Sequence, residues 1–136
     1  MRLSAAFLTI LFAACTAVPA DPPPPAAATI PVIQLSAERI SPSTIRLILE
    51  NGASHPVGYN LCSSALQRRI GGTWEAVNTG EFCTMELRTL NPGADATFEK
   101  TLPSGLTAGD YRYVTNVESP LGTQQTGVAT DSFKLP

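Results

Sequence analysis

From residue 30 onward the chain alternates apolar and polar side chains in short runs, and turn residues interrupt it about every eight to twelve positions. STIRLILEN shows the pattern most clearly. Ile45, Leu47 and Leu49 point one way; Thr44, Arg46 and Glu50 point the other. A period of two makes a strand with one buried face, because successive side chains leave opposite sides of the backbone. Ile48 interrupts the polar side and predicts partial cover there. Ile33, Leu35 and Ala37 repeat the pattern upstream.

Turn chemistry divides the remainder. Asn51-Gly52 followed by Ser54-His55-Pro56 predicts a loop. VGYNLC (57–62) and ALQRRI (65–70) are short apolar segments, and Gly71-Gly72 joins the second to TWEAV (73–77) as a hairpin. Asn91-Pro92-Gly93 is a turn in which Pro sets one φ and Gly permits a positive one. ADATFEKTL (94–102) then reads as a strand with Phe98 as its core residue. PSGLTAG (103–109) reads as a corner loop. YRYVTNV (111–117) alternates Tyr111, Tyr113 and Val117 against Arg112 and Val114, and Phe133 and Leu135 share a face near the end. No helix-period stretch follows the N-terminal segment. The expected fold is an all-β antiparallel sandwich of about seven or eight strands.

The chain has 136 residues, the length of one domain, and is 43% hydrophobic and 15% charged, which is apolar enough for a core. Nine basic and eleven acidic side chains give a net charge of -2. Removing residues 1–14 takes Arg2 away and leaves eight against eleven, or -3. With Arg68-Arg69 the one basic pair, there is no electrostatic footprint for nucleic acid.

The N-terminus predicts export. Ala5 to Ala14 is an apolar run, far shorter than the roughly 20 residues that span a bilayer, and it follows Arg2 as a signal-peptide core does. Phe12-Ala13-Ala14-Cys15 resembles a bacterial lipobox, with Phe where Leu is usual. That assigns residues 1–14 to a lipoprotein signal peptide and makes Cys15 the lipidated residue. The alternative is a signal peptide cut after Ala20, with Cys15 discarded. Residues 15–29 form a Pro/Ala-rich tether in which Pro22 to Pro25 hold a polyproline II spacer of about 3.1 Å per residue. The folded domain is then 30–136. By resemblance to sorted lipoproteins, Thr16 favours the outer membrane of a Gram-negative envelope, at its periplasmic face or the cell surface, with the lipid as the one membrane contact.

Two cysteines remain, Cys62 and Cys83. In an oxidising compartment an even pair reads as a disulfide, closing a loop of about 22 residues worth roughly 3 kcal/mol. Free buried thiols are the alternative. Metal ligation falls short on count, because zinc takes about four ligands and His55 is the one histidine.

Ser63-Ser64, His55 and Asp110 are the parts of a nucleophile triad, without a G-x-S-x-G elbow. Glu81 and Glu86 flank Cys83 and read as loop polar residues. There is no calcium loop, dinucleotide fingerprint or P-loop, so no cofactor or metal is expected. Arg68-Arg69 lies on an alternating strand that turns one arginine to each face. Trp74 reads as core before it reads as a ligand platform.

NGASHPVGYNLCSSALQRRIGGTW, a second Cys, and LNPGADATFEKTLPSGLTAGDYRYVTNV together resemble a bacterial immunoglobulin-like domain of secreted proteins and lipoproteins, over about residues 31 to 136. The resemblance implies an immunoglobulin-like sandwich and no catalytic residues. It places Tyr111 where a tyrosine corner would bond the preceding loop. Trp74 lies between the cysteines, unlike the antibody arrangement, so the bridge is expected to clip a mid-chain strand to the loop GEFCTME. The expected function is a non-enzymatic module that contacts an envelope or extracellular protein through loops 51–58 or 78–86. The same order of features is similar, more weakly, to the intracellular proteinase inhibitor family. In that alternative a stiffened NTGEFCTME loop enters a protease cleft.

Overall fold

The computed structural model describes residues 32–136. Cys15, the segment 1–14 and the tether 15–29 lie outside the described residues. Ten strands form, in the order β1 (Ile33–Ser41), β2 (Thr44–Asn51), β3 (Val57–Tyr59), β4 (Ala65–Ile70), β5 (Thr73–Ala76), β6 (Arg88–Leu90), β7 (Asp95–Thr101), β8 (Gly109–Glu118), β9 (Gln125–Ala129) and β10 (Phe133–Leu135). They make two antiparallel sheets. The smaller has the order β1-β2-β7 and the larger is built around β8.

Strand β8 explains why there are ten strands and not about seven. On one side it pairs with β4 along its first half and β3 along its second; on the other it pairs with β10 and then β9. In turn β5 flanks β4 and β6 flanks β3. The large sheet therefore has four ranks, three of them broken in two, beside the three strands of the small sheet.

Two of the breaks are bridged by hydrogen bonds from side chains and backbone together, as buried backbone requires. Between β3 and β4 the Asn60 amide donates to the Thr84 carbonyl at 2.7 Å, and Ser64 N donates to Leu61 O at 3.2 Å. Between β9 and β10 the Thr130 hydroxyl oxygen accepts from Tyr113 N at 3.1 Å, while Thr130 N donates back to Tyr113 O at 2.9 Å. One side-chain oxygen thus carries the ladder across the gap.

The core lies between the sheets. Ile45, Leu47 and Leu49 of β2 are buried from one side; Val57, Leu66, Tyr111, Tyr113 and Val117 are buried from the other. Full burial of each aliphatic side chain contributes roughly 1.5–3 kcal/mol. Ile48 on the outer side of β2 is half-buried. The β4–β5 hairpin turns on Gly71 and Gly72, with φ of 57° and 89°, values that side chains other than glycine rarely adopt.

Two expectations need correction. Phe98 keeps the inward parity, opposite Leu47, yet it is 36% exposed. Strand β7 is an edge strand, and among the described residues no strand pairs along its outer rim. Two positions on, Lys100 is 1% exposed and sits opposite Ile45. The charged residue is inside and the aromatic one is at the margin. Trp74 is half-buried on the outer side of the large sheet, with the Arg112 guanidinium 4.4 Å from its ring centroid. Its apolar face is covered by a cation and not by the core.

Candidate functional site

The two breaks at the β3–β4 and β5–β6 ranks lie side by side, and the chain bulges at both. Residues 60–64 make the first bulge and residues 77–87 the second. Cys62 and Cys83 are bonded across them, with Cα atoms 5.7 Å apart. The disulfide expected from the sequence is therefore present, but it ties loop to loop: Cys62 lies in the bulge between β3 and β4 and not on a strand, and Cys83 lies in GEFCTME. Both cysteines belong to the large-sheet side, unlike an inter-sheet bridge.

Lys100 adds the connection between sheets. From β7 its ammonium crosses to the large sheet and donates to the Cys62 carbonyl at 2.7 Å. It also forms an ion pair with the Glu81 carboxylate, whose side chain is 31% exposed. The loop is thus held by a covalent bond at Cys83 and by an ion pair at Glu81. Asn78 and Gly80 shape its start, with Gly80 N donating to Asn78 Oδ1 at 3.0 Å.

Next to these braces the loop displays apolar side chains. Phe82 is 101% exposed and Met85 is 95% exposed. Both flank Cys83, where the disulfide limits their movement. A groove of about 610 Å³ runs beneath the loop, lined among others by Ser64, Leu66, Glu81, Phe82 and Lys100. A second hollow of about 230 Å³ lies on the other side of the disulfide, between Tyr59, Phe82, Arg88 and Phe98. Burial, and then the nearby Glu81 carboxylate, push the Tyr113 phenol well above its ordinary 10.0, so it stays protonated.

The other watched loop is built differently. Asn51 is buried and stitches it shut. Its amide donates to His55 O and to Leu90 O, each at 3.0 Å, and its oxygen accepts from Ala53 N at 3.0 Å. The Asn that reads as a turn signal in the sequence is the internal tie of that loop.

The parts weighed for catalysis are not assembled. His55 Nε2 shares a hydrogen bond with Ser119 Oγ at 3.0 Å, and the Ser63 hydroxyl donates to Asn60 O at 2.8 Å. Asp110 faces Lys134 at the far end of β8. Ser119 lies nine residues further on, about 30 Å along an extended strand. Glu81 is committed to Lys100, and Glu86 is exposed. Arg68 donates to Ala108 O at 3.0 Å and covers Gly109. The Tyr111 hydroxyl donates to Thr107 O at 2.7 Å, in the loop before β8, and its ring stacks near Phe133 at 6.4 Å between centroids.

Lys100 was missed by the sequence reading. The available signal was its position, two residues after Phe98 and two before Leu102 on one face of a strand whose other inward residues are apolar.

No protein-family model matches the chain, and no curated protein matches it either. Among solved structures the chain is similar to the archaellum periplasmic stator protein FlaG from Sulfolobus acidocaldarius. The identity is 19%, the TM-score is 0.45, and the match covers 76% of this chain and 99% of that one. At that score the overlap is loose and bears on neither site nor partner.

Proposed function

We propose that this is a non-enzymatic, immunoglobulin-like interaction module of the cell envelope, and that the 77–87 loop is its contact surface. The observation that carries the reading is the near-complete exposure of Phe82 and Met85 on a loop braced by the Cys62–Cys83 bond. Exposed apolar side chains cost solvation unless a partner covers them. Bracing lowers the entropy lost when a partner does so. Residues 1–14 serve as the signal peptide, Cys15 as the lipid anchor and residues 15–29 as the stalk that lifts the domain from the membrane. Tyr111 serves as the tyrosine corner. The partner is another envelope or extracellular protein.

A photo-crosslinking amino acid placed at position 82 or 85 of the full chain in its own cells tests this. The expected result is one dominant crosslinked protein from either position and none from position 73, on the β5 hairpin. Labelling that does not depend on position would refute the loop as the contact surface.

The same bracing favours a second reading, a proteinase inhibitor that presents residues 78–86 to a protease cleft. There the crosslinked partner is a protease, inhibited in proportion to added chain. The loop resists cleavage when oxidised and is cut after Cys62–Cys83 is reduced.

A further inference from the structure

The underside of the 77–87 loop has a chemistry that its exposed tip does not. Lys100 is buried at a position where every neighbouring inward residue is apolar. Its charge is answered by the Cys62 carbonyl and by Glu81, a residue on a loop and one-third exposed. One more polar group lines the same groove: Ser64, whose hydroxyl is buried without a hydrogen-bond partner. Such groups are rare in folded proteins and cost stability when left unmatched.

Glu81 is an incomplete occupant of this place. A carboxylate accepts about four hydrogen bonds, yet among the described residues Glu81 bonds Lys100 alone. Its backbone is held by the disulfide two residues away, which restricts how far its oxygens reach into the groove. A hydroxyl donor and an ammonium lining one groove match a carboxylate, since they supply one positive charge and a directed neutral donor.

We propose that the groove beneath residues 77–83 is a carboxylate-binding site in which Lys100 and Ser64 are the receiving groups. Glu81 is its internal occupant, displaced by a carboxylate from another molecule. Displacement frees Glu81 into solvent, where it is already partly exposed. It pairs Lys100 with an anion to which Ser64 also donates. The carboxylate comes either from a small organic acid or from the C-terminus of a peptide. Phe82 lines this groove as well as the proposed contact surface, but the receiving groups are Lys100 and Ser64, so either reading can fail alone.

The test uses the full, oxidised chain and three probes: sodium acetate, an N-acetylated dipeptide with a free C-terminus, and its C-terminal amide. Binding is followed by NMR shifts at Ser64 and Lys100. In Glu81→Ala the competitor is gone, and acetate is expected to bind at least about tenfold more tightly than to the natural chain, one decade corresponding to 1.4 kcal/mol. Glu81→Gln keeps the side-chain volume and is expected to show the same direction, which guards against loss of folding in the alanine variant. Adding Lys100→Met to either variant abolishes the shifts, and the amide probe produces none. Equal affinity for acetate and the free dipeptide identifies a small acid as the source. A dipeptide bound tenfold better identifies a chain terminus. The proposal is overturned if neither Glu81 variant gains affinity, or if the gain survives Lys100→Met.

Discussion

Strands β2 and β7 are neighbours in one sheet and face the same core, yet they are built on opposite principles. Ile45, Leu47 and Leu49 of β2 are buried apolar residues, as their alternation requires. Their register partners on β7 are Lys100, Phe98 and Ala96. There the lysine is buried and the phenylalanine is at the rim. The difference lies in what covers each strand. A strand on both sides covers β2, whereas β7 has β2 on one side and approaches the 77–87 loop on the other. Closure by a sheet selects apolar side chains. Closure by a loop that carries backbone carbonyls and a carboxylate gives a lysine its partners.

The largest expected effect breaks the sheet-closed side. Leu47→Ala deletes a fully buried side chain at the centre of β2. Removing buried leucine costs about 2–5 kcal/mol, and this site, with strands on both sides, has little freedom to collapse. The expectation is a loss of about 4 kcal/mol, read as a lower denaturant midpoint with an unchanged slope.

Next comes the covalent brace. Cys62 and Cys83 are 21 residues apart, and a closed loop of that size contributes about 3 kcal/mol. Replacing both by serine is expected to lower stability by about that amount. The loss should be local in hydrogen exchange. Amides of residues 60–64 and 77–90 should lose protection first, while β2 amides exchange only through global unfolding. Uniform loss of protection would show that the loop is not a separate closure.

The ion pair sharpens the comparison further, because its two halves are not equivalent. Glu81→Ala leaves a buried ammonium with one carbonyl partner. Breaking a fully buried pair costs about 3–5 kcal/mol; since Glu81 is already one-third exposed, about 2 kcal/mol is expected here after discounting for solvent. Lys100→Met removes the buried charge and gives β7 an apolar inward face like that of β2, while Glu81 turns to water. Its expected cost is below about 1 kcal/mol. Chemical denaturation of the two variants side by side checks the order. The reverse order would mean that Lys100 is held by something other than Glu81.

How much of this was legible follows from the same contrast. Features set by adjacent residues could be read: the alternation of β2, the Gly71-Gly72 hairpin, the turn at Gly93. So could the cysteine pairing, because two cysteines in a chain expected to be exported leave few options. The breaks in the ranks could not be read. VGYNLC looks like one apolar strand, and its interruption at Asn60 depends on a bond to Thr84, which is distant in sequence. The burial of Lys100 was hidden for the same reason, since its partner is 19 residues upstream on a loop with no pattern of its own. For Phe98 the alternation gave the correct side of the strand. Periodicity carries no information about which strand ends the sheet, and that decided its exposure.

The smallest effect tests that last point. If Phe98 were the core residue its type suggests, Phe98→Ala would cost about 3–5 kcal/mol. At the rim of β7 it is partly in water already, and its ring contacts the hollow beside Phe82 and Cys83 more than the centre of the sandwich. It also lies 5.8 Å from the Lys100 ammonium, close enough for a weak cation–π contribution of about 0.5 kcal/mol. The expected loss is therefore about 1 kcal/mol, roughly a quarter of that for Leu47→Ala across the register. The two variants differ by one strand in position and share one face, so their ratio measures what the outer rim of β7 contributes. A ratio near one would mean that the loop seals the rim in solution as completely as a strand does. A ratio near four would leave the hollow between Phe98 and Phe82 open to whatever the loop meets.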